Sequence, residues 1–113
     1  MAGEELDEFL QSIDSLIIVE GKSDEDALTS LGVNPSLIVV LNKGQSLSET
    51  IEAISDARKA IILTDMDGEG KRIRKKLLRL FQLYGMQEDV RPRELYARLR
   101  VSHVEGLKPA DDV

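Results

Sequence analysis

Two short acidic clusters hold the residues able to do chemistry. Glu20, Gly21, Lys22 and Asp24 close the stretch "IIVEGKSD", and Asp65, Asp67, Gly68 and Gly70 close "ILTDMDGEG". In extended backbone, residues two apart project to one side, which sets the Asp65 and Asp67 Cα atoms about 6.6 Å apart. Two carboxylates held at ~4 Å repel by about 4 kcal/mol at an effective dielectric of about 20, and a third acid such as Glu20 raises the penalty. Unless one of the acids is protonated, a bound Mg²⁺, with its preference for hard oxygen ligands and retained waters, is the simplest compensation. Gly21, Gly68 and Gly70 leave room for a phosphate to approach. The "GKRIRKKL" run that follows brings Lys71, Arg72, Arg74 and Lys75 beside the amino end of a helix, where dipole and amides favour an anion. Acids for a metal and positive charge for phosphate point to metal-assisted phosphoryl chemistry.

The elements that must position these residues follow from periodicity. "LIIV" (16–19), "LIVVL" (37–41) and "AIIL" (60–63) are unbroken, β-branched apolar runs, as expected of strands buried on both faces. Between them lie helical patterns. Ser23 with Asp26 opens one helix that stops at Gly32, and Ser46 with Glu49 opens another in which Leu47, Ile51 and Ile54 share a face. The longest pattern covers 69–84, with Ile73, Leu77, Leu80, Phe81 and Tyr84 inward. An amphipathic helix over 4–13 precedes the first strand, through Leu6, Phe9, Leu10 and Ile13. Alternating strands and helices predict a mainly parallel sheet of about four strands with crossover helices on both faces. Ligands bind such sheets at the carboxyl ends of the strands, where Glu20, Asp65 and Asp67 fall. Beyond Gly85 the pattern thins. Pro92 can open a short helix, and "RVSHV" (100–104) is the candidate fourth strand.

Composition bounds the function. With 113 residues and 42% hydrophobic content, one domain over 1–113 is expected, its motif-bearing core at about 13–80 and 85–113 an extension. No cysteine and a single histidine, His103, exclude disulfides, thiolate sites and multi-histidine zinc. The absence of a signal-peptide pattern and of a membrane-length apolar run points to a soluble, cytoplasmic protein. The net charge is −6, but residues 1–57 hold two basic against twelve acidic residues and 58–113 thirteen against nine. The second half therefore suits a local phosphate-facing patch on an otherwise repelling body.

"DMDGEG" also matches the start of an EF-hand loop, but the twelfth position is Lys76 where a bidentate Glu is required. A phosphatase of the haloacid-dehalogenase type would need a small hydroxyl residue in place of Glu69. No GxSxG supports a serine triad.

Taken together, the two acidic stretches resemble the Toprim domain of primases, topoisomerases, recombination-repair proteins and small ribonucleases. The family pattern is a strand ending in Glu-Gly-x-x-Asp and, some 40 residues on, a strand ending in Asp-x-Asp-x-x-Gly. Glu20, Gly21 and Asp24 supply the first, Asp65, Asp67 and Gly70 the second, and Gly44 matches a glycine often seen between them. The resemblance implies a compact Rossmann-like α/β fold. It also implies Mg²⁺, with Mn²⁺ as a substitute, held by Asp65 and Asp67 with Glu20, and Glu20 as general acid or base in phosphodiester cleavage or nucleotidyl transfer. Asp24 would support the site from behind. Among subfamilies the small stand-alone forms are the most similar: primase-like proteins and the ribonuclease that matures 5S ribosomal RNA. The implied partner is nucleic acid, RNA somewhat ahead of DNA, with a protein partner to dock the substrate as a further expectation. A nucleic-acid-binding module that does not catalyse, or works only with a partner, is the competing class, and a small-molecule phosphatase a third.

Overall fold

The structure is a computed structural model and describes residues 2–41, 44–64 and 68–99. The chain divides into two compact units, residues 15–89 and residues 1–14 with 90–113.

The larger unit is built on a four-stranded sheet of order β2-β1-β3-β4, with β1 Leu16–Val19, β2 Ile38–Val40, β3 Lys59–Ile62 and β4 Gln87–Glu88. Every described pairing is parallel. The central strands β1 and β3 are the most buried, and Ile17, Ile18, Ala60, Ile61 and Ile62 are fully buried. Side chains alternate across a sheet. Ile18, Ala60 and Ile62 accordingly share one core cluster, with Ile51 of α3 (Leu47–Ile54) and Leu77 and Phe81 of α4 (Gly68–Tyr84). Leu47, Ile54, Ile73, Leu80 and Tyr84 pack against the same cluster, the stripes that helical spacing predicts. Ile17, Val19 and Ile61 alternate with the cluster residues and so serve the other face. Right-handed crossovers assign that face to α2 (Lys22–Leu31), because the chain moves one way from β1 to β2 and the other way afterwards.

Local chemistry fixes the ends of these helices. Ser46 accepts from the Glu49 amide and Glu49 accepts from the Ser46 amide, the reciprocal box expected there. For α2 the sequence pattern is corrected by two residues. The N-cap is Gly21, not Ser23, and the Asp24 carboxylate accepts from the Gly21 amide at 3.1 Å. Helix α4 stops at Gly85, whose φ of +72° is a left-handed cap conformation that a side chain would strain.

Strand β4 escaped the sequence pattern. It is two polar residues long and is held by backbone bonds, Gln87 N–H to Arg58 O and Asp89 N–H to Ala60 O. The expected strand at 100–104 lies outside the described residues.

In the smaller unit, α1 (Ala2–Ser12) and a helix over residues 91–99, α5, are described. Pro92 sits in the first turn of α5, where its missing N–H costs nothing. Leu95 and Leu99 are buried, the Phe9 and Tyr96 rings lie 5.3 Å apart, and Arg91 pairs with Glu8 at 3.6 Å. Among the described residues no helix is long and apolar enough to cross a membrane.

Candidate metal and phosphate site

The sheet order answers the question that decides the site: β1 and β3 are neighbours. Their register pairs Leu16 with Ala60, Ile17 with Ile61 and Ile18 with Ile62, and Leu63 N–H continues the ladder to Ile18 O at 2.9 Å. Continued by two residues, that register sets Glu20 level with Thr64. On the other side Leu41 N–H bonds Val19 O at 2.9 Å, so β2 ends at the same edge. The described backbone carries β3 to Thr64, one residue short of Asp65, and resumes at Gly68, one residue past Asp67. Asp65 and Asp67 themselves lie outside the described residues.

Each acidic segment is anchored on described atoms by a side chain reaching backbone. On the first, Asp24 takes the Gly21 amide and Glu25 N–H bonds Gly21 O at 3.3 Å, which fixes the turn directly after Glu20. On the second, Thr64 Oγ1 donates to Gly70 O at 3.0 Å, joining the end of β3 to the first turn of α4. Glu20 is partly exposed, as an acid that meets a ligand must be. Gly21 has φ −152° and ψ 176°, ordinary extended backbone, and a Cβ there or at Gly68 would meet nothing within 4 Å. Neither backbone strain nor packing among the described residues calls for glycine at these two positions.

The positive groups divide. Lys22 is 77% exposed but leans along its own helix to Asp26 at 3.1 Å and Glu25 at 3.4 Å. Hydrogen bonding to Asp26 and then Glu25 raises its pKa above the usual lysine range. Arg74 forks onto the Glu88 carboxylate, with Nη2 to Oε1 at 2.9 Å and Nη1 on Oε2, and so ties α4 to β4. Arg72 pairs with Glu69 at 3.3 Å on the exposed surface. Lys71, Lys75, Lys76 and Arg79 are exposed along α4. Sequence reasoning missed Thr64 and Glu88. Thr64 had one signal, a hydroxyl ending an apolar strand directly before the acids. Glu88 had none.

A family description, "Toprim domain", matches residues 15–102. This chain belongs to the Toprim domain family. Related proteins include a UPF0292 protein of Thermococcus onnurineus, 34% identical over 93% of this chain and 77% of its own length. A UPF0292 protein of Archaeoglobus fulgidus is 32% identical over 88% of this chain and 86% of its own. Ribonuclease M5 of Mycoplasma mycoides is 41% identical over 73 residues, which are 61% of this chain and 41% of that enzyme. Among solved structures, a putative protein from Aquifex aeolicus superposes with a TM-score of 0.71 at 26% identity, covering 88% of this chain and 91% of the other. The Toprim family's Rossmann-like α/β architecture is thus the architecture of this chain.

Proposed function

We propose that this Toprim protein is a Mg²⁺-dependent nucleic-acid enzyme that cleaves phosphodiester bonds in RNA. The observation that carries the reading is the adjacency of β1 and β3, whose parallel strands end side by side, with Val19 and Thr64 directly before the two acidic segments in the sequence. Similarity over 73 residues to a protein named ribonuclease M5 favours RNA cleavage over nucleotidyl transfer. The donor chemistry suits the ion: Glu20, Asp65 and Asp67 offer carboxylate oxygens alone, and hard oxygen donors hold Mg²⁺ or Mn²⁺. Such an ion, when bound, neutralises charge on a phosphate oxygen and on the leaving group.

The chain's own residues do the rest. The Glu20 carboxylate takes the proton of an attacking water or returns one to the leaving oxygen. Asp24 holds the Glu20–Gly21 turn through the Gly21 amide. Gly21 and Gly68 leave room for the phosphate, whereas Gly70, expected there from the sequence, is buried against Thr64 and stays out of contact. The amino end of α4 offers the phosphate a positive dipole. Lys71, Arg72 and Lys75 flank that helix end as contacts for neighbouring phosphates. Lys22 and Arg74 reach a phosphate only by exchanging their present acidic partners. The protein acts in the cytoplasm, with a partner protein supplying further docking of the substrate.

The second reading, a binding module without catalysis, draws on those engaged cations and on the net charge of −6. One gel separates the two: labelled structured RNA, single-stranded RNA and duplex DNA, each in Mg²⁺ or EDTA, with the wild type and Glu20→Gln. RNA cleavage that needs Mg²⁺ and disappears in Glu20→Gln is the expected result. Retardation without cleavage, equal in both proteins, would sink the enzyme and leave the module.

A further inference from the structure

We infer that Thr64 is a positioning residue for the metal-binding segment, acting through its hydroxyl bond to the Gly70 carbonyl. The inference rests on the reading of Asp65 and Asp67 as metal ligands, and names a residue outside that ligand set.

Thr64 is 2% exposed and Gly70 is buried, so the bond between them is shielded from water. A buried hydroxyl must find an acceptor. The acceptor here is the backbone of α4, six residues ahead. The pair spans residues 65–69, so the two ends of the Asp-x-Asp-Gly segment are joined by a hydrogen bond as well as by the chain. One end is fixed further by the parallel ladder, through Leu63 N–H to Ile18 O. The other is fixed by the packing of Leu77 and Phe81 in the core. A bond between the two elements that flank a ligand segment is the kind of contact that lowers the entropic cost of ordering ligands when a metal binds. The first segment has the corresponding device in the Asp24 carboxylate on the Gly21 amide.

A hydroxyl that merely satisfied itself in the core would matter to stability and not to the metal. The test separates these roles by swapping the two halves of the side chain. Thr64→Val and Thr64→Ala remove the hydroxyl, Thr64→Ser keeps it and removes the methyl, and Asp65→Asn reports on the ligand set. Mn²⁺ binding is followed by the electron paramagnetic resonance of the free ion, with Mg²⁺ as competitor, and Tm is recorded in EDTA. The expected result is Mn²⁺ affinity about 10- to 100-fold weaker in Thr64→Val and Thr64→Ala, as for other partners that orient metal ligands. Thr64→Ser should bind near the wild-type level whatever its Tm, and Asp65→Asn should abolish binding. Wild-type affinity in Thr64→Val with a lowered Tm would overturn the positioning role while Asp65→Asn still upheld the metal site. Failure of both Val and Ala variants to fold would overturn it too, by placing the hydroxyl's role in the fold. Binding indifferent to Asp65→Asn would remove the ligand assignment itself, and the positioning role with it.

Discussion

Glycine at position 21 is the clearest mismatch between what the fold requires and what the sequence supplies. Its backbone is extended and the space where a Cβ would go is open among the described residues, yet it caps α2 without a side chain. Serine is the better cap, since its hydroxyl can accept an amide of the first turn. Gly21→Ser is therefore expected to leave Tm unchanged or raise it by a few degrees. If the open space exists for a phosphate, the added atoms meet it at contact distance and cost about 1–3 kcal/mol. RNA affinity then falls about tenfold or more. Differential scanning calorimetry and an RNA titration on the same preparation read both effects, and undiminished RNA binding would remove Gly21 from the site. At this scale the sequence exposed what is chemically conspicuous. Glu20, Asp65 and Asp67 stand out as acids directly after apolar runs, and Asp24 as the acid that follows Glu20-Gly21. Thr64 does not, because its role depends on a carbonyl six residues away that only the folded chain brings within 3.0 Å.

Elements were legible wherever one pattern dominated. Strands β1, β2 and β3 are β-branched runs, and α3 and α4 keep the apolar stripes that their spacing prescribes. Strand β4 was invisible because Gln87 and Glu88 owe their pairing to backbone bonds and to the Arg74 fork, neither of which leaves a periodic trace. The start of α2 was misplaced because two acids and a serine in its first turn all suit a helix beginning, and only the Asp24–Gly21 bond decides among them. The cap of α3 was legible and is measurable. Ser46→Ala removes the hydroxyl that takes the Glu49 amide, and is expected to cost about 1 kcal/mol, or about 4–6 °C in Tm. Bonds from the Ser46 amide and then its side chain hold the Glu49 carboxyl below the usual glutamate range. A depressed carboxylate stabilises the fold above its unfolded pKa, and that contribution is lost as pH falls through the folded value. The Tm difference between wild type and Glu49→Gln should thus be present at pH 7 and shrink as the pH is taken down through and below the usual glutamate range. A difference that stayed constant throughout the acid titration would show that charge at Glu49 plays no part.

For the whole molecule the governing fact is charge: a chain of net −6 is proposed to hold RNA. Long-range attraction cannot supply the affinity, because the average field repels a polyanion at low salt. Binding must come from a local track that outweighs the field within a Debye length, about 8 Å at physiological ionic strength. Helix α4 carries such a track. Arg72, Lys75, Lys76 and Arg79 follow the i, i+3, i+4, i+7 spacing of one helix face, and all are exposed. From Arg72 to Arg79 the rise is about 10.5 Å, enough to follow a phosphate backbone for more than one residue. Among these four, Arg72 has an ion pair to Glu69 in the described structure, so the carboxyl-terminal half of the stripe is the better anchor. Lys75→Glu combined with Arg79→Glu should leave Tm nearly unchanged, as exposed substitutions shift stability by about 0.5 kcal/mol or less. RNA binding should weaken uniformly across sequences. The slope of log K against log salt should flatten by about 1.4 for single-stranded RNA if both cations release counterions. Measured from about 50 to 200 mM salt, an unchanged slope would place the backbone contacts elsewhere on the chain. A flattened slope with cleavage chemistry intact at saturating RNA would divide the labour cleanly, α4 holding the strand and the β1–β3 edge cutting it.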